Sequence, residues 1–145
     1  MMNSESLSYD FMVQAIEVAP IGTVFIDSEG SIIQINPAAC IMLGYEAEEC
    51  LHHPYNDWIY PEDLDEDRQI LEKLKSGRIS SLQMEKRLIH KQGDIRWVSC
   101  MLSTARSREG RALGYVAHLT DITDMKKAAH QEEERLIQSD KLSMA

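Results

Sequence analysis

Phe11, Met12, Ala15, Ile16 and Ala19 recur at the three- and four-residue spacing of one helix face, and Pro20 stops the run. A short amphipathic helix is expected there. The pattern then changes: Thr23 to Asp27 and Ser31 to Asn36 are β-branched runs joined by Ser28-Glu29-Gly30. That reads as a hairpin in which Gly30 is free to take a positive φ. Asn36 can cap the next helix, Pro37 suits its first position because it has no N–H to leave unpaired, and Gly44 ends it. From Tyr45 to Ile59 short helical turns are expected, interrupted at Pro54. Pro61 to Gly77 is a clear helix pattern, with acids in the first turn, Lys73 and Lys75 in the last, and Gly77 as its cap. Leu64, Ile70, Leu71 and Leu74 should form its buried stripe.

Alternating runs return after Gly77. Three strands are expected within residues 81–123, joined at Gln92-Gly93-Asp94 and Arg108-Glu109-Gly110. Two strands, several helices and a three-strand meander make an α+β fold: one five-stranded antiparallel sheet with helices on one face. On the fourth strand, Val98, Cys100 and Leu102 share one face, and Trp97, Ser99 and Met101 share the other. Glu85 and Arg87 lie on a single face of one strand, so they are not a cross-strand pair; each is expected to pair elsewhere or to stay solvated, with solvated as the default. Beyond Asp124 the chain turns helical again. Over residues 124–145 such a helix would run about 33 Å at roughly 1.5 Å per residue. Its seam of Met125, Ala129 and Leu136 is interrupted by Glu132, which makes it weakly specified as a two-chain coiled coil.

Composition narrows the function. A net charge of −9 argues against nucleic acid or an anionic membrane surface as the main partner. No apolar run reaches membrane-span length, and the first ten residues lack the pattern of a signal peptide, so a cytoplasmic location is expected. Cys40, Cys50 and Cys100 are widely spaced and odd in number, which suits reduced thiols. Cys50, His52 and His53 form a small group of potential ligands, but adjacent histidines rarely reach one ion and no metal site is expected. The acids Glu62, Asp63, Asp65, Glu66 and Asp67 read as a cluster favoured by the helix dipole rather than a catalytic pair. With no nucleophile elbow and no phosphate loop, no catalytic residues are assigned.

Seven short motifs then occur in a telling order: Pro20-x-Gly22, Asp27-x-x-Gly30, "NPAA", "LGYEAEE", "YPEDL", "HKQGDIRWV" and "DIT". In that order, over residues 10–124, the chain resembles the Per-Arnt-Sim (PAS) sensor domain. The resemblance implies a helical cap over 1–19, a PAS domain over 20–123 and a signalling linker helix over 124–145. It implies a pocket between the sheet and the helices, lined by Met84, Val98, Cys100, Leu102, Tyr115, Ala117 and Leu119, with Trp58 as a residue able to stack on a flavin or simply to pack. A small-molecule ligand and a filled, ligand-free interaction core both remain open. Haem-binding relatives carry a histidine on the long helix and photoactive flavin relatives a cysteine in a defined motif; neither is present, and the cofactor stays unknown. Trp97 and Met101 on the outer sheet face, together with Phe11 and Ile16 of the first helix, are expected at a cap or homodimer surface. Asp121, Ile122, Thr123 and Asp124 form the junction where sheet movement would become helix movement, with Thr123 or Asp124 as helix cap.

The tail "LIQSDKLSMA" resembles the start of the dimerisation helix of sensor histidine kinases, in particular the sporulation type. That resemblance implies a homodimer and downstream kinase domains. None of His52, His53, His90, His118 or His130 lies in a phosphoacceptor motif, so these residues are not expected to autophosphorylate.

Overall fold

The computed structural model describes residues 3–143. Helix α1 spans Ser4–Val18 and starts where the Asn3 side chain accepts the Ser6 N–H at 2.7 Å. Strands β1 (Gly22–Asp27) and β2 (Ile32–Ile35) form the expected hairpin. Its turn is held by the Asp27 carboxylate, which accepts the Glu29 and Ser31 N–H groups at 2.9 Å each, while Gly30 takes φ +94°.

Helix α2 (Pro37–Leu43) follows at once, capped by Asn36 and closed by left-handed Gly44. Asn36 is fully buried and uses its whole hydrogen-bonding capacity. Its Oδ1 accepts from the N–H of Thr23 (2.8 Å) and Ala39 (3.1 Å), and its Nδ2 donates to the carbonyls of Ile16 (2.9 Å) and Ile21 (3.0 Å). One side chain therefore ties α1, β1 and α2 together. Helix α3 (Ala47–Cys50) and a 3₁₀ turn at Tyr55–Trp58 fill the stretch around Pro54.

The long helix departs from expectation. Pro61 opens a 3₁₀ turn, Pro61–Asp63, and α4 runs only from Leu64 to Lys75, with Ser76 rather than Gly77 at its C-cap. Because a 3₁₀ turn advances three residues rather than 3.6, the helical face is rotated. Its buried residues are Asp67, Ile70 and Leu74; Leu64 is exposed and Leu71 only half-buried.

Strands β3 (Ser81–Ile89), β4 (Ile95–Arg106) and β5 (Ala112–Asp121) complete a five-stranded antiparallel sheet of order β2-β1-β5-β4-β3. Register places Met84, Cys100 and Leu119 in one row, and Leu82, Leu102, Ala117 and Val24 in the next. These rows face the helices and carry the core. Helix α5 (Thr123–Ser143) leaves the end of β5, with only Thr123 buried. Met144 and Ala145, the end of the kinase-like tail, lie outside the described residues. No helix among the described residues is long and apolar enough to cross a membrane.

Candidate functional site

Between the inner sheet face and the helices lies a cavity of about 40 Å³. Nine of its walls are aliphatic: Val24, Ile26, Ile32, Leu43, Ile59, Leu88, Leu102, Ala117 and Leu119. Trp58, Tyr55 and Lys86 complete it. All eight expected pocket residues are buried, but they divide. Leu102, Ala117, Leu119 and Trp58 line the space; Met84, Val98, Cys100 and Tyr115 pack in the core outside its walls, so as cavity-lining residues they are corrected. Trp58 is fixed edge-on between Tyr45 (centroids 5.7 Å apart) and His53 (6.2 Å). A haem or flavin does not fit so small a space, and no residue from 61 to 76 is a histidine.

Behind the Lys86 side of the cavity wall lies a buried ion pair. Lys86 Nζ donates to Asp67 Oδ1 at 3.0 Å, with only 8% and 3% of the two side chains exposed. Tyr55 donates its phenol to the other oxygen, Oδ2, at 2.6 Å, and the Lys86 ammonium sits 5.8 Å from the Tyr55 ring centroid. Burial first, then this bond to Asp67, pushes the Tyr55 phenol far above its ordinary range. Both ends of the pair had a signal in the chain. Asp67 lies three and seven residues before Ile70 and Leu74, and Lys86 stands between Met84 and Leu88 in the period-two row of β3. The first is obscured because Asp67 stands among the acids of the helix-dipole cluster. Attention to Glu85 and Arg87 hid the second.

Of the two alternatives for Glu85 and Arg87, pairing elsewhere is the one that occurs. Asp63 binds Arg87 in a fork, to Nε at 3.0 Å and Nη2 at 2.6 Å, and also accepts the Arg87 backbone N–H at 2.8 Å. The hydrogen bond from the Arg87 side chain holds the Asp63 carboxyl below the usual carboxylate range. The guanidinium is stacked over Tyr60 (4.4 Å) and Trp97 (5.2 Å). On the same outer sheet face, Lys126 of α5 binds Glu85 at 2.6 Å and lies 4.8 Å from the Trp97 ring. It is these two cations that stand over Trp97; Phe11, expected to help cover it, is 74% exposed. Met101 and Ile16 are both half-buried.

At the junction the backbone of Trp97 is held from both sides. Its carbonyl accepts the Ile122 N–H at 2.8 Å, and its N–H donates to Thr123 Oγ1 at 2.9 Å. Ile122 accepts the first helical N–H, from Lys126, and so occupies the N-cap position. The side chain satisfying the Thr123 N–H is Asp121, at 2.9 Å. The cap expected from Thr123 or Asp124 thus comes from Asp121, because the Thr123 hydroxyl is committed to β4 and Asp124 is exposed.

The remaining candidate ligands are committed to packing. Burial raises the Cys40 and Cys100 thiols and pushes Cys50 up to about 11, which keeps all three protonated at neutral pH. No cluster of three His, Cys, Asp or Glu suited to a metal ion occurs among the described residues.

Comparison with known proteins agrees with this geometry. The model of the PAS fold matches residues 10–122. "Probable diguanylate cyclase DgcE" of Escherichia coli strain K12 is 37% identical over 113 residues, which is 78% of this chain and 10% of that protein. The PAS domain of a Colwellia psychrerythraea protein superposes with a TM-score of 0.74 at 22% identity, over 81% of this chain and 98% of that one. A PAS domain from a two-component sensor histidine kinase gives 0.67 at 18% identity, over 82% and 99%. At such identities the superpositions establish a shared fold. A small sheet-and-helix sensor domain is the class defined here, and the chain belongs to the PAS fold family.

Proposed function

We propose that the chain is the sensory input module of a multidomain signalling enzyme, in which a small molecule in the inner cavity biases the position of α5. The observation that carries this reading is the junction. Trp97 is bonded through both backbone groups to Ile122 and Thr123, and Lys126 ties the first turn of α5 to Glu85 of β3. A displacement of β3 or β4 therefore acts directly on the start of the exit helix. Replacing Asp121 by Ala in the full-length protein removes the helix cap; output is then measured with and without signal. A changed basal activity or a blunted response is expected, and unchanged values for both would sink the coupling.

The tail from Leu136 favours a histidine kinase as the output, acting as a homodimer through paired exit helices; the finer sporulation-type assignment rests on those ten residues alone. Identity to DgcE favours a second reading, input to a diguanylate cyclase. Incubating the full-length protein with labelled ATP or GTP separates them. An acid-labile phosphoprotein supports the kinase, and cyclic diguanylate the cyclase. A ligand-free interaction core is the third reading. It is favoured if a native mass spectrum of the dimer shows no bound molecule under any signalling condition.

A further inference from the structure

The chemistry on the Lys86 side of the cavity restricts what the module senses; this deepens the proposed function and rests on it. A lysine ammonium has three donors, and that of Lys86 makes one hydrogen bond, to Asp67. Its remaining donors belong to a side chain more than nine-tenths buried that lines the cavity. Asp67 stands behind it, outside the cavity walls, with one carboxylate oxygen given to Lys86 and the other to Tyr55. Lys86, a lining residue, thus keeps spare donors, while both oxygens of the Asp67 carboxylate are already engaged.

Charge narrows the choice further. Lys86 and Asp67 already neutralise each other, so a buried anionic ligand would leave one negative charge without a partner and a cation one positive charge. The volume of about 40 Å³ exceeds the roughly 10–15 Å³ a water needs and falls well below the roughly 150 Å³ of a cavity that takes benzene. Water alone suits it poorly, because a buried water needs two to four polar partners and nine walls are aliphatic.

We infer that the cavity takes a small neutral molecule of about four non-hydrogen atoms with an acceptor oxygen, a ketone or primary amide among them, whose oxygen accepts from Lys86 and whose alkyl part lies against Ile59, Leu88, Leu102 and Ala117. The test uses the isotope-labelled chain, with acetone, acetamide, acetate and xenon as probes read at the backbone amides of Leu88 and Ala117. Acetone and acetamide produce saturable shifts, and acetate binds about tenfold or more weakly. In the double variant K86M/D67N, acetone weakens about tenfold or more, as expected for loss of a hydrogen bond to a charged donor, while xenon binding is unchanged. Xenon binding without the carbonyl compounds, or acetate binding as well as acetone, overturns the ligand class and leaves the sensing cavity standing. No shift with any probe, xenon included, overturns both. Should the double variant fail to fold, the order of the probes on the unsubstituted chain decides alone.

Discussion

Lys86 and Asp67 show why a buried ion pair is judged by what its removal leaves behind. Replacing Lys86 alone by Met strands a carboxylate that is almost entirely out of water, which costs about 3–5 kcal/mol. Replacing both, as K86M/D67N, removes the charges together while leaving an amide oxygen for the Tyr55 phenol. The double variant is therefore expected to be markedly more stable than K86M, and urea unfolding midpoints check the order. Equal destabilisation in the two would mean that packing of the lysine stem, not charge, sets the cost. Asp63 makes a different prediction because it titrates. Its folded carboxyl lies below the unfolded value of about 3.9, held there chiefly by Arg87. Its contribution is thus complete above the unfolded pKa and is lost as pH falls through the folded one. D63N should lower stability at neutral pH and flatten the acid limb of the stability curve below about pH 4. A curve parallel to that of the unsubstituted protein would contradict the assignment.

At the scale of elements, local rules served well where the deciding partner is a neighbour in the chain. The Asp27 turn, the Asn36-Pro37 start of α2 and its glycine end are all readable from three or four consecutive residues, and all occur as expected. Period-two alternation likewise placed Val98, Cys100 and Leu102 on one face, which is the inward one, as the family resemblance implied. Elements whose phase depends on distant partners were less readable. The rotation of α4 follows from a 3₁₀ turn that lets Asp63 reach Arg87, 24 residues away. The cap of α5 falls to Asp121 because Thr123 is taken by Trp97, 26 residues away. Half of the expected pocket lay behind rather than in the cavity wall, since alternation gives a face and not which part of it is left uncovered. The Thr123 contact can be tested directly. T123V removes the acceptor of the Trp97 N–H, and an unpaired group of this kind costs about 1–3 kcal/mol. Hydrogen exchange at the Trp97 amide and in the first turn of α5 should accelerate, whereas D124N, at an exposed position, should leave both near their original rates. Equal acceleration in the two variants would place the anchor elsewhere.

For the whole molecule, magnitudes limit how the signal can travel. A nearly complete two-state switch needs roughly 5.5 kcal/mol of differential binding. A ligand of about four non-hydrogen atoms has a ceiling near 6 kcal/mol in total at roughly 1.5 kcal/mol per atom. Nearly all of its affinity would have to discriminate between the two states, so a ligand of that size produces a graded response. In the proposed reading, association of the exit helices supplies the rest of the bias. Helix α5 has 21 residues, of which only Thr123 is buried, so it lacks the tertiary packing from which most helical stability in proteins comes. Met125, Leu136 and Ile137 are exposed along it, and Glu132, bonded to Arg135 at 2.6 and 3.0 Å, occupies the place in the four-three seam where an apolar residue would join two helices. E132L completes the row of residues 125, 129, 132 and 136. Burying each leucine contributes about 1.5–3 kcal/mol, twice per dimer, against the loss in each copy of a fully exposed, solvent-screened ion pair that contributes little. Sedimentation equilibrium should then show self-association tightened about a hundredfold, with added helicity by circular dichroism. If the mass of E132L tracks that of the unsubstituted chain at every concentration, the exit helices do not make the contact. The exposed α1 row of Leu7, Phe11 and Val18 is then the next apolar helix face among the described residues to test as the contact between two copies.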